Sequence, residues 1–484
     1  MNTKHLKAKI LDLAIRGKLV LQDPSEGNAA DLLKEHNNIP EDEIPFEIPE
    51  NWCWCNGKEI FSQMTSKKPE GEEFKYIDIE SVDNKLQKIH HPKIMKTSNA
   101  PSRASRETRI GDVVFSMVRP YLKNIARISE NLENCIASTG FFVCRPKEFI
   151  DSKYCYYLMI SSYVVNGLNQ FMKGDNSPSI NSDDITDFLY PIPPLSEQQR
   201  IVSAIEKAFE QIDIIEKNKQ NLKTYIKQTK SKVLDLAIHG KLVEQNQKEG
   251  NAFELLEKIR KEKSELIKQK KLKEDKKSSF IIKAEDGKHY EQFADGTLKD
   301  IEDEIPFEIP ENWCWCRLRE IGNWQSGCTP DKSRKDFYDK ADIPWLNSGD
   351  LTDSYIETIP HYVSQIAFDE KRMKLNEAGS VCIAMYGATI GKLGILTKPA
   401  TTNQAVLVCS KLHLSDSKYL FYFLKSHKKE YIQAGFGGAQ PNISKEKVEP
   451  TLFPLPPLDE QKRIVERIEQ IFEQLDILEK SLGD

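Results

Sequence analysis

The chain has 484 residues, 39% hydrophobic and 30% charged, with a formal net charge of −5 and ten cysteines. That length predicts two to four domains, and the hydrophobic share is enough for real cores and excludes a wholly disordered chain. No apolar run reaches the roughly 18 residues of a membrane-spanning helix, so no membrane partner is expected.

At the N-terminus, MNTKHLKAKILDLAIRGKL alternates apolar and charged residues and reads as an amphipathic helix rather than a secretory signal. A cytoplasmic protein is the expectation, with cysteines present as thiols. Next, EDEIPFEIPENWCWC at Glu41–Cys55 recurs letter for letter at Glu302–Cys316. PIPPLSEQQRIVSAIEKAFEQIDIIEK (Pro191–Lys217) returns as PLPPLDEQKRIVERIEQIFEQLDILEK (Pro454–Lys480). Between these marks Tyr76-Ile-Asp-Ile aligns with Trp345-Leu-Asn-Ser, Gly111 with Gly379, and Lys153-Tyr154 with Lys418-Tyr419. Two domains of one architecture follow, 40–195 and 303–458, with near-constant ends and divergent middles. Short β-like runs (Asp112–Val118, Phe141–Cys144, Ser380–Met385, Ala405–Cys409) and helices near 151–169 and 416–432 make them α+β.

A third repeat has a different offset: KILDLAIRGKLV (Lys9–Val20) matches KVLDLAIHGKLV (Lys232–Val243). The central copy follows the helix that starts near Ser196, whereas the helix starting near Asp459 reaches Asp484 first. The sequence is thus a pseudo-two-fold circular repeat, cut open inside one repeat. Residues 1–39 complete what 459–484 begins, 196–302 form a central helical spacer and linker, and the termini are expected close together.

The joining segments carry a heptad-like seam: Ile201, Ile205, Ile212, Ile215, Leu222 and Ile226 in the centre, and Ile464, Ile468, Ile471, Leu475 and Leu478 at the end. Ser196 and Asp459 read as N-caps, Gly17 and Gly240 as C-terminal glycines. A rod of about 60 Å at 1.5 Å per residue, paired antiparallel with a split partner, is the predicted coiled coil.

Motifs for covalent chemistry are near misses. Gly387-Ala-Thr-Ile-Gly391-Lys392-Leu393 is one residue short of a phosphate loop and puts Leu393 where Ser or Thr must meet magnesium. Cys53/Cys55 and Cys314/Cys316 could supply zinc thiolates, but their strand spacing reads as small buried side chains. No catalytic residue and no metal site is expected. Charge is more informative. Between Lys85 and Arg127 ten Lys/Arg face two acids, and Arg103, Arg106, Arg109, Arg119, Tyr121, Lys123 and Arg127, with Ser138 and Thr139, form a candidate DNA surface. In the second domain the candidates are Ser326, Thr329, Lys332, Arg334, Lys335, Asn347, Ser348, Tyr386, Lys392, Asn403 and Gln404, with Gln440 and Asn442 as further amides able to read adenine edges. The run Lys258–Lys277, with ten Lys/Arg in twenty positions, reads as a solvated helix end and linker.

The tandem IPFEIPENW entries, the PxPPLxEQxRIV exits and the circular repeat together resemble the DNA specificity subunit of type I restriction-modification systems. APSRA (Ala100–Ala104), GDVVFSMVRPYLKNIA (Gly111–Ala126), ASTGF (Ala137–Phe141), IPWLNSGDL (Ile343–Leu351), AMYGATIGKLGIL (Ala384–Leu396) and TTNQA (Thr401–Ala405) look like its target-recognition signatures. The resemblance implies two tandem α/β target-recognition domains separated by two long antiparallel helices. It implies that each domain binds one half of a split, asymmetric double-stranded DNA target, with the helices as a ruler. It further implies docking of two methyltransferase and two restriction/translocase subunits. S-adenosylmethionine, ATP and Mg would belong to those partners, and this chain would hold no cofactor. Two other readings stay open: a stand-alone specificity half of a methyltransferase-nuclease, and a coiled-coil adaptor without DNA recognition.

Overall fold

The tryptophan entry and the proline exit of each domain are strand partners. Cys53–Asn56 pairs antiparallel with Leu189–Ile192, and Cys314–Arg317 with Leu452–Leu455. Each domain is therefore clasped at its base, and the Pro-Pro pair then turns the chain into a helix. The computed structural model describes residues 2–33, 39–132, 135–270, 278–413, 415–435 and 442–483. It divides into two units, Met1–Asn221 and Leu222–Gly483, which part inside one helix, Leu195–Ile238. The expected meeting of the termini concerns Met1 and Asp484, which lie outside the described residues.

In the first unit a four-stranded sheet is ordered Lys93–Lys96, Glu73–Ile77, Cys135–Ser138, Ala104–Glu107, and a three-stranded sheet Phe141–Cys144, Val113–Ser116, Ile125–Arg127. The second unit holds Tyr362–Val363, Ile343–Leu346, Thr401–Thr402, and a five-stranded sheet built on Val406–Leu412 and Val381–Ala384. The predicted alignment holds in three dimensions. Tyr76 pairs in parallel with Ile136 as Trp345 does with Thr401. The Tyr154 hydroxyl donates to the Pro191 carbonyl (2.8 Å) as Tyr419 does to Pro454 (3.0 Å). Gly111 and Gly379 both take positive φ just before a central strand.

The near-identical segments meet at one junction per unit. Glu197 is fully buried and accepts from Trp52 Nε1 (3.0 Å), Asn51 (3.2 Å) and Gln22 (2.7 Å). Glu460 is likewise buried and accepts from Gln245 (2.8 Å) and Asn312 (3.2 Å). Burial raises the Glu460 carboxyl above its ordinary value, and these donors pull it back. Arg200 forks onto Glu26 (2.8 and 2.5 Å), Arg463 onto Glu249 (2.7 and 2.8 Å). Gly17 and Gly240, both at φ +66°, close their helices: Lys18 N–H reaches Leu13 O and Lys241 N–H reaches Leu236 O, each at 2.8 Å. A Cβ would lie 2.3 Å from Pro49 Cγ at Gly17 and 2.4 Å from Pro310 Cγ at Gly240, so glycine is required twice over.

The helices differ from expectation in three respects. They begin at Leu195 and Leu458, so Ser196 and Asp459 sit in the first turn and are not caps. The Pro194 and Pro457 carbonyls accept the first helical bonds, from Gln198 and Gln461. The seam is also mixed. Ile201 and Ile205 pack with Tyr154 and Leu158, and Ile464 and Ile468 with Tyr419 and Phe453, inside domain cores. Beyond those turns the helix in each unit also pairs with a neighbouring helix. Lys7 pairs with Asp213 (2.6 Å) and Thr3 with Glu216 (2.9 Å) in one unit, Lys230 with Asp476 and Glu479 in the other. Ile212 and Ile226 stay buried there and Ile471 and Leu475 half-buried. Ile215, Leu222 and Leu478 are exposed by 38%, 41% and 50%, so this chain does not bury them as seam residues. Finally, 196–302 is not only helix and linker. After helix Ala252–Lys268, strands Ser279–Lys283, His289–Phe293 and Leu298–Asp300 form a sheet. Ile281 and Ile301 pack there on Trp315, and Arg317 pairs with Glu291 (2.7 Å) and Glu304 (2.6 Å). The missed signal was Asp286-Gly287 and Asp295-Gly296, two hairpin turns with positive-φ glycines. Of the basic run, residues 271–277 lie outside the described residues.

Candidate nucleic-acid interface

In each domain one central strand ends in a turn that touches three other segments. In the first, Ser116 pairs with Phe141, and Met117 N–H donates to Gly140 O (2.9 Å). Ile180 N–H donates back to Met117 O (3.0 Å), and Thr139 N–H to Arg103 O (2.9 Å). In the second, Ala384 pairs with Val406, Met385 N–H donates to Ala405 O (2.8 Å), and Ile443 N–H to Met385 O (2.7 Å). The two edges share one backbone frame at Ser116/Ala384 and Met117/Met385.

The side chains on that frame differ. Arg103, Arg119 and Tyr121 are exposed at the first edge, with Lys123 and Thr139 half-buried and Ser138 buried. Arg106, half-buried, lies on the neighbouring strand Ala104–Glu107. Two predicted cations have local employment instead. Arg109 pairs with Glu107 (3.3 Å), and Arg127 donates to Ser152 Oγ (2.9 Å), which ties it to helix Ser152–Ile160. At the second edge Asn403 Nδ2 donates to Asn347 Oδ1 (3.0 Å), Ser348 adjoins them, and Gln404 is exposed. Tyr386 bridges to Asn442. Cys328 N–H donates to Thr402 O (2.9 Å), which brings the Ser326–Thr329 segment to the same place. Lys332 and Lys335 are exposed beyond it, and Lys392 is half-buried after the turn. Arg334 is engaged by Asp336 (2.6 Å) and lies over the Phe337 ring. Gln440 lies outside the described residues. Among the described residues Arg103, Arg106, Arg119, Lys123, Lys332, Lys335 and Lys392 make no ion pair.

The near misses resolve physically. Gly387–Thr389 is a turn that runs into strand Leu393–Leu396, not into the helix that follows a phosphate loop. Cys53, Cys55, Cys314 and Cys316 are all buried, and burial pushes the Cys314 thiol up to about 12.

The type I restriction modification DNA specificity domain family matches residues 53–224 and 310–483, which is one copy per clasped domain with its exit helix. The chain belongs to that family. As a type I specificity subunit it is 24% identical to the EcoAI specificity subunit of Escherichia coli, over 97% of this chain and 89% of that one. It is 24% identical to the EcoEI specificity subunit of the same species, over 99% and 90%. In fold, it resembles the HsdS subunit from Thermoanaerobacter tengcongensis (TM-score 0.58, 24% identity, 91% of this chain and 94% of that one). A chain from work on complex assembly and conformational transition of the type I R-M system gives TM-score 0.60 at 24% identity, with the same coverage. The two-domain α/β architecture with long helices read from the sequence is that of this family. No helix among the described residues is long and apolar enough to cross a membrane.

Proposed function

We propose that this specificity subunit is non-catalytic and reads a bipartite, asymmetric double-stranded DNA target. Residues 40–195 read one half and 303–458 the other. Segments 1–39, 196–302 and 459–484 hold the two apart and dock two methyltransferase and two restriction/translocase subunits in the cytoplasm. S-adenosylmethionine, ATP and Mg belong to those partners. One observation carries the reading: two edges with the same backbone frame, from Met117 and from Met385, present different exposed side chains. Such a frame suits two half-sites of different sequence, because phosphate contacts position a protein and side chains at base edges specify. Exchange of 40–195 for another recognition domain, followed by methylome sequencing, should alter one half-site and leave the other. Change in both, or in neither, sinks the proposal. One helical turn inserted after Ile215 should lengthen the gap between half-sites without changing either.

A further inference from the structure

The turns Met117–Lys123 and Met385–Gly391 occupy equivalent places, and both need a left-handed residue at their third and seventh positions. The second domain supplies glycine at each, Gly387 at φ +79° and Gly391 at φ +73°. A residue without Cβ adopts that conformation freely. The first domain places Arg119 (φ +48°) and Lys123 (φ +57°) there, where a Cβ crowds the following carbonyl. The left-handed Asp353, by contrast, has local work: its carboxylate accepts from Leu393 N–H (2.9 Å) and pairs with Lys428 (3.2 Å). Arg119 and Lys123 make no ion pair among the described residues. Glycine at both positions would build the same turn without strain, so backbone geometry by itself does not account for two cations there. Strain kept at an exposed, charged position points to a ligand.

We infer that Arg119 is the residue that selects a guanine in the first half-site and that Lys123 anchors the turn on a backbone phosphate. The inference rests on the DNA-recognition reading above. The Arg119 guanidinium is exposed yet held: Nη2 donates to the Asn176 carbonyl (2.7 Å), and the Arg119 backbone N–H donates to Pro178 O (2.8 Å). A planar fork restrained in this way loses little freedom on binding, and its remaining donors match the O6 and N7 acceptors of guanine. Lys123 has a half-buried side chain ending in a compact charge, which suits a phosphate and carries no sequence information. Tyr121 and Leu122, exposed by 46% and 40% between them, add apolar surface to the same contact.

The test uses the full chain assembled with its methylating partner, a pool of randomised duplexes as probe, and sequencing of the bound fraction. The parent should select two half-sites. Arg119→Gly should melt at the parent's temperature or up to about 4 °C above it, because left-handed strain is relieved. It should keep the second half-site and lose about tenfold to hundredfold discrimination for guanine at one position of the first. Arg119→Lys should keep the salt dependence and lose the same discrimination. Lys123→Gly should keep the sequence preference and lower the slope of log affinity against log salt by about 1. An unchanged first half-site in Arg119→Gly overturns the inference and leaves DNA recognition standing. A parent that selects no sequence overturns both. Glycine variants that melt below the parent with selection intact would assign the two cations to the fold.

Discussion

The two junctions and the two edges are built on repeats of the same chain, yet they have diverged to opposite degrees. At the junctions the bonds themselves recur: Glu197 and Glu460 hold an asparagine and a glutamine each, and Arg200 and Arg463 each fork onto a glutamate. At the edges backbone bonds recur, while Arg119 and Lys123 stand at the positions that Gly387 and Gly391 take in the other domain. A buried polar network tolerates little change, because each lost partner leaves a desolvated group behind. An exposed turn on a fixed frame tolerates almost any side chain its φ allows. The chain thus keeps its mount and varies what the mount presents.

The comparison can be broken most forcefully at the buried carboxylates. Glu197→Leu should cost about 3 kcal/mol in urea unfolding, because it orphans the donors of Trp52, Asn51 and Gln22. Glu460→Leu should cost nearly the same, and a large difference would show that the junctions are not equivalent. Next come the glycines. Gly17→Ala and Gly240→Ala should each cost about 2 kcal/mol, since both meet a proline ring at positive φ.

Arg463→Met should have a smaller effect, about 1 kcal/mol, and one that depends on pH. The Arg463 guanidinium holds the Glu249 carboxyl below its ordinary value. A carboxylate depressed in the folded state stabilises above its unfolded value of about 4.3 and stops doing so as pH falls through the folded value. Thermal melts should therefore show the parent losing stability on acidification below about pH 4.3, and the variant losing less of it. Arg109→Ala should do least. Its exposed pair with Glu107 contributes at most about 1 kcal/mol, and neither half-site should change. A base preference altered by Arg109→Ala but not by Arg119→Gly would invert the order of the two arginines.

Much of this was legible in sequence because it rests on local chemistry or on repetition. The strand-period Trp-Cys-Trp-Cys motif, the Pro-Pro turn and glycine at 17 and 240 each have one physical solution. Repetition marked the two clasped domains. The sheet at 279–300 carried a signal, Asp-Gly twice, that its basic surroundings masked. Which cations remain unpaired was not legible, because only folding brings Ser152 to Arg127, and only the folded backbone turns the near neighbours Glu107 and Asp336 toward Arg109 and Arg334.

By itself the sequence determined a twice-repeated α+β chain with clasping motifs, long amphipathic helices and family membership. All of these follow from periodicity, turn chemistry and identity of residues. Tertiary structure alone decided that Ile201 and Ile464 belong to domain cores rather than to a helix seam, and that Arg119 and Lys123 stand where glycine would serve. Burial and backbone handedness depend on what surrounds a residue, and a sequence pattern specifies only the residue.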